Sequence, residues 1–170
     1  DYDMGALVAM IKKVVAGHIE WMADEPLSEY LFIYHFPHYP GGGGMEHAYS
    51  TAIELSAERI KEDPVALYSV TSHEFFHLWN VKRIRPEALD PIDYLKENYT
   101  RALWFCEGVT NTVADLVLLK TGLLDEPTYL RQLALEIRTL ETRPAHRTQS
   151  VEEASLDTWF DKYPQYRLPE

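Results

Sequence analysis

The first stretch of the chain repeats its apolar positions at Leu7, Met10, Ile11, Val14, Val15 and Ile19, the recurrence of an amphipathic helix over 4–22 in which Gly17 is a weak point. The period then changes. "YLFIYHF" (30–36) is a β-branched and aromatic run between Pro26 and Pro37, and "HAYSTAIEL" (47–55) alternates loosely, so two strands are expected, joined through the glycines Gly41–Gly44. The proline and glycine density between them argues against a tight hairpin. Asp63-Pro64 predicts a helix start, Asp as N-cap and Pro where a missing N–H costs nothing, with the helix running to about residue 80. Beyond a basic loop bracketed by Pro86 and Pro91, helices are expected over 100–120, stopped by Gly122, and over 126–142. A last short helix opens at Ser150, with Glu153 as capping-box partner. Helix, a few strands and then mostly helices is the order of an α+β fold.

Composition narrows the possibilities. At 170 residues and 46% apolar the chain suits one domain with a real core. Its 27 acidic residues against 16 basic ones, a net charge of -11, would repel a phosphate backbone, so nucleic acid is excluded as a partner. No apolar run reaches the roughly 18 residues a membrane span needs. Cys106 is the single cysteine, which rules out an internal disulfide and a multi-cysteine metal site, and one thiol assigns no compartment. The chain starts at Asp1 and stops at "YRLPE"; it reads as a piece of a longer protein, and its localisation stays open.

The chemistry concentrates in "TSHEFFHLWN", where His73-Glu74-Phe75-Phe76-His77 is an HExxH motif. On a helix, residues four apart share one face about 6 Å from each other, so both imidazoles can hold one Zn²⁺ with Glu74 beside the open position. A water activated there can attack a peptide carbonyl while Glu74 moves the proton. A third ligand is expected on a following element. Glu107, set in the apolar "LWFCEGVTNTVADL", is favoured because metal coordination would remove the cost of burying its charge. Glu97 sits in a polar segment where a solvated charge needs no explanation; His35, His38 and His47 precede the motif and rank below Glu107. His18 and His146 read as surface histidines.

Three blocks, "GGGGMEH", "SHEFFHLWNVKRIRP" and "LWFCEGVTNTVADL", resemble the glycyl aminopeptidase family in order and wording. These are bacterial and archaeal zinc metallopeptidases of the gluzincin group, often carrying a PDZ domain. The resemblance implies a thermolysin-like catalytic domain over 1–170, a small mixed sheet followed by a helical half, with an N-terminal β-rich domain and C-terminal helical or PDZ regions lying outside this chain. It implies Zn²⁺ held by His73, His77 and Glu107, Glu74 as general base, and Glu46 as the carboxylate receiving a substrate's free α-amine. Gly43, Gly44 and Met45 would line the substrate. The implied activity is removal of small N-terminal residues from peptides, in cytoplasm or periplasm.

Several positions are less settled. Asn80, Asn111 and Asp115 are candidates to orient a ligating histidine. Lys82, Arg83 and Arg85 read as a solvated loop, with neutralisation of a substrate carboxylate or of the acidic site as the alternative. Asn111, Thr112 and Val113 stand where relatives tend to have aromatic residues. The tyrosine that stabilises the oxyanion in related enzymes has Tyr163 and Tyr166 as its nearest counterparts, neither in the expected context. A gluzincin endopeptidase, in which Glu46 has no role, and a non-catalytic peptide-binding module that retains the metal site are the rival functions.

Overall fold

A computed structural model describes residues 3–161 of the chain. Helix α1 (Met4–Met22) is capped by Asp3, whose side chain accepts from the Ala6 N–H. Strands β1 (Leu31–His35), β2 (Gly42–Glu46) and β3 (Ser50–Leu55) follow, then the short α2 (Ala57–Glu62) and the motif helix α3 (Pro64–Phe76). A π-helical segment, Trp104–Val109, leads directly into α4 (Thr110–Thr121), and α5 (Glu126–Thr142) and α6 (Val151–Asp161) complete the fold. Gly122 closes α4 in the left-handed region at φ 70°, the conformation glycine adopts without strain. Ser150 and Glu153 form the expected reciprocal cap on α6. The sequence did not signal α2, whose N-cap is Ser56. Asp63 occupies the cap position of α3 but makes no capping bond with its side chain.

The glycines are not a connector. Gly42, Gly43 and Gly44 are the first three residues of β2, an edge strand antiparallel to β3, while β1 lies parallel on the other side of β3 in the order β1-β3-β2. Sheet pairing satisfies a glycine backbone whatever its propensity, which overrides the sequence signal. The tight hairpin therefore joins β2 to β3 inside the segment read as one strand, closed by the His47 N–H on the Ser50 carbonyl at 2.8 Å. Gly44 pairs with Ile53 and Glu46 with Thr51. Since paired residues share a face, Gly44 and Glu46 look inward with buried Ile53 and Thr51. Met45, opposite Ala52, looks outward.

The core lies between the inner sheet face and α1, α3 and α4. Phe32 packs on Phe75, ring centres 5.6 Å apart, and the Tyr34 hydroxyl meets the Thr71 hydroxyl at 3.0 Å. Phe75, Phe76, Leu78 and Trp79 are buried; at about 1.5–3 kcal/mol each, such side chains anchor the motif segment. Gly17 lets α1 meet α4 closely, because a Cβ there would lie 2.6 Å from Thr121 and 2.8 Å from Val117. The outer sheet face leaves Leu31, Ile33 and Met45 exposed, and α5 exposes Leu130, Leu135, Ile137 and Leu140. No helix among the described residues is long and apolar enough to cross a membrane.

His18, expected at the surface, is fully buried. It stacks on Phe76 and Trp79, and its Nε2 lies 2.8 Å from Ser72 Oγ, which donates onward to the Ala114 carbonyl at 3.1 Å. A single hydroxyl proton cannot serve both partners, so His18 donates from Nε2 and its Nδ1 is left without a partner. His146 is exposed as expected. Burial lowers the His18 pKa to about 3 from its ordinary 6.5. The unfolded chain thus binds a proton that the fold refuses, and stability present above pH 6.5 is lost as pH falls toward 3. Between pH 7 and pH 5 this residue should cost about 2 kcal/mol of unfolding free energy. Urea unfolding at both pH values should show a smaller loss for His18→Phe than for the unsubstituted protein.

Candidate metal centre

The HExxH residues straddle the end of α3. His73 and Glu74 belong to its last turn, and His77 is the C-cap, still in right-handed helical geometry with its N–H on the His73 carbonyl at 3.3 Å. The helix therefore stops at Phe76, four residues before the expected end. Beyond it the His77 carbonyl accepts from both Val81 and Lys82, at 3.0 and 2.9 Å, a widened turn that no longer repeats with α-helical spacing. The i, i+4 relation survives where it matters. The two imidazole centres are 4.6 Å apart and their Nε2 atoms face each other at 2.9 Å.

The outer nitrogens show what those inner ones carry. His77 Nδ1 is 2.7 Å from the Asn80 carbonyl, which can only accept, and His73 Nδ1 is 2.8 Å from Asn111 Oδ1. Both rings donate from Nδ1, so each neutral ring turns an Nε2 lone pair toward the other. Glu107 brings Oε2 to 3.1 Å from His73 Nε2 and 3.9 Å from His77 Nε2. Three electron-rich atoms at one point repel unless a cation lies among them. Tetrahedral coordination with bonds of about 2.0–2.1 Å separates donor atoms by about 3.3 Å, and the three observed distances bracket that value. His73, Glu74 and His77 likewise offer ligand atoms all within 4.8 Å of one another. The residues fit a divalent metal ion.

Glu107 owes its place to the π segment, which the sequence reading took for ordinary helix. Its widened turn frees carbonyls, and the buried Asn80 side chain takes two of them, Phe105 at 3.1 Å and Cys106 at 3.4 Å, along with Thr110 Oγ at 3.2 Å. Asn80 therefore fixes His77 through its main chain and the Glu107 turn through its side chain. The burial argument for Glu107 does not hold in this chain, because its side chain is 46% exposed. It is partly exposed to solvent and is not set in an apolar interior.

Glu74 is 5% exposed and its Oε2 has no hydrogen-bond partner. Burial, with the charges of Glu46 and Glu107 adding to it, pushes the Glu74 pKa up to about 7 against the opposing charges of His73 and Lys82. Burial works against a second proton on either ring, but on His73 such a proton, at Nε2, would be held by the Glu107 carboxylate and favoured by the Glu74 charge, so its pKa is raised; burial, together with the charge a protonated His73 would carry, lowers that of His77. Gly44 lies against Glu74, where a Cβ would overlap the carboxyl group. The inward-facing Glu46 is paired at 3.0 Å with Lys82. The buried Tyr30 hydroxyl has no partner, and its pKa is raised by burial and by the charges of Glu74 and Glu46.

Other sequence candidates stand apart. Gly43 and Met45 are exposed, and a Cβ on Gly43 would meet nothing within 4 Å. Asp115, one turn beyond Asn111, is hydrogen-bonded to neither imidazole. His35 and His38 pair with Glu54 and Glu58 at 2.8 and 3.4 Å, and His47 and Glu97 are exposed. The basic cluster is not simply solvated: besides the Lys82 pair, Arg83 binds Asp24 and Arg85 meets Asp90 at 3.3 Å. These partners are distant in sequence or irregularly spaced, so no local pattern announced them. Tyr163 and Tyr166 lie outside the described residues.

The family model described as M61 glycyl aminopeptidase matches residues 66–168. No curated protein matches the chain. The crystal structure of an aminopeptidase N family protein from Idiomarina loihiensis is similar over 96% of this chain, with 32% identity and a TM-score of 0.81; the chain spans 29% of that protein's length.

Two outcomes follow from the site. His77→Ala should abolish one-to-one divalent metal binding measured by elemental analysis, and retention of the metal would exclude His77 as a ligand. Gly44→Ala forces a methyl group into the Glu74 carboxyl, and displacements of this size cost about tenfold to a hundredfold in rate. Any peptide hydrolysis by the full-length polypeptide should fall by that much while the metal content stays near one.

Proposed function

The chain belongs to the M61 glycyl aminopeptidase family, and from that membership we propose that it is the catalytic domain of a zinc aminopeptidase with a thermolysin-like, gluzincin fold. Its substrate is a peptide with a free N-terminus and a small first residue. The observation that carries the reading is the convergence of His73 and His77 Nε2 with Glu107 Oε2 beside the unpartnered Glu74 carboxylate. A zinc ion held there supplies Lewis-acid polarisation and a lowered water pKa. Asn111 and the Asn80 carbonyl hold the imidazoles so that both Nε2 lone pairs point inward. Glu74, buried beside the ligating histidines with its Oε2 free of any hydrogen-bond partner, takes the proton of the attacking water and returns it to the leaving amine.

Substrate placement follows from the sheet. β2 is an edge strand, so an extended peptide can pair with its backbone, and the glycines keep side chains out of its path. Glu46, on the inner face, receives the α-ammonium. The rest of the peptide then runs antiparallel to β2, toward a groove of about 650 Å³ lined in part by Gly41–Gly43, Ser69 and Gln132. The exposed apolar faces of the sheet and α5 are read as contacts with further domains of a longer polypeptide.

One observation favours an endopeptidase instead: Glu46 already has a cation, Lys82. Hydrolysis of an alanyl amide and its N-acetyl counterpart by the full-length polypeptide separates the two. The aminopeptidase reading requires the free amine to be cleaved at least about tenfold faster, the scale of one charge-assisted hydrogen bond to Glu46 that the N-acetyl analogue cannot make. Equal rates would reject it.

A further inference from the structure

Lys82 lies outside the HExxH motif and in sequence belongs to a basic loop. Its ammonium nonetheless sits 3.0 Å from Glu46 Oε1, both side chains about one-quarter exposed. The Lys82 main chain is held, its N–H on the His77 carbonyl at 2.9 Å and its carbonyl accepting from Arg85 at 3.1 Å. The side chain is four flexible carbons ending in a point charge whose one hydrogen bond among the described residues is to Glu46. A primary ammonium thus occupies a carboxylate on the inner face of the edge strand, where the α-ammonium of a peptide would arrive.

We propose that Lys82 is an exchange partner for the substrate's α-amine: it holds Glu46 while the site is empty, yields it to an incoming peptide, and returns to displace the amino-acid product. The inference rests on the aminopeptidase reading. Without Lys82, Glu46 would be a partly buried carboxylate close to Glu74 and Glu107, a costly arrangement unless another cation is bound. With it, the number of ion pairs is the same before and after binding, so the amine is recognised without being held tightly. That balance matters for an exopeptidase because its first product keeps the ammonium group by which the substrate was bound. Lys82 is in this sense a specificity-determining residue that acts through Glu46 and not on the scissile bond.

The test uses the metal-loaded full-length polypeptide, with the alanyl amide and its N-acetyl counterpart as substrates and alanine as product inhibitor. Lys82→Met should lower KM for the free amine and the inhibition constant of alanine by at least about fivefold each, the scale of one partly screened charge pair. kcat should fall as product release slows. Lys82→Arg, which keeps a cation and offers Glu46 a two-pronged partner that is harder to displace, should not lower either constant and should raise both. A Lys82→Met enzyme whose KM and alanine inhibition constant rise, or do not move, overturns the proposal, since a lysine that merely braces Glu46 would weaken amine binding on removal. Should Lys82→Met fail to give the circular dichroism of the parent, Lys82→Gln is measured against the same outcomes. Failure of the aminopeptidase reading itself appears separately, in the unsubstituted enzyme, as equal cleavage of both substrates, and removes the proposal with it.

Discussion

Two imidazole lone pairs facing each other at 2.9 Å, with a carboxylate oxygen beside them, are a repulsive arrangement that a cation converts into an attractive one, and much of the helical half serves to hold it. Asn80 ties His77 to the turn that carries Glu107, and Asn111 fixes the other ring. Behind them the aromatic side of α3, Phe75 and Phe76, packs with Trp79 around the buried His18. Each imidazole has one nitrogen satisfied outward, so the site cannot relieve its own repulsion by turning a ring over. A metal ion meets that constraint with one ligand set.

Around this point the charges are arranged in tension. Glu46, Glu74 and Glu107 bring three carboxylates within electrostatic reach of one another in a chain that is already acidic, and burial of Glu74, with the charges of the other two added, pushes its pKa up. Lys82 is the counterweight from the protein itself. The opposite ends of this small network differ in kind. Glu107 and the histidines are immobilised by helix turns and hydrogen bonds, whereas Lys82 reaches Glu46 across a flexible stem. Rigid groups suit metal binding; a movable one suits a site whose ligand comes and goes.

The glycine segment joins the two regions. Gly44 allows the edge strand to approach Glu74 more closely than any side chain would permit, and the period-2 alternation of β2 then turns Glu46 inward and Met45 outward. In the sequence those glycines looked like a joint between strands. Antiparallel pairing to β3 makes them a strand, because backbone hydrogen bonds satisfy glycine as well as any residue and local propensity cannot register a partner thirteen residues away at Leu55. The π segment escaped notice for a related reason: its widened turn is held by Asn80, a residue from another part of the chain.

Helices α1 and α5, the cap at Gly122 and the Ser150–Glu153 box were legible because their causes are local: apolar period, cap chemistry, and proline in a first turn. The HExxH motif was legible on the same terms, since a spacing of four on a helix is itself a geometry, and the wording of three short blocks supplied the family. What the amino-acid order could not express was which distant groups those residues meet. The fully buried His18, the double role of Asn80, the exposure of Glu107 and the Lys82–Glu46 pair all depend on contacts between segments, and burial and charge pairing are properties of the assembled chain. Sequence alone named the candidate donor set and its local spacing; tertiary structure decided which of those atoms converge, the direction of each lone pair, the burial of Glu74 and the cation that rests on Glu46.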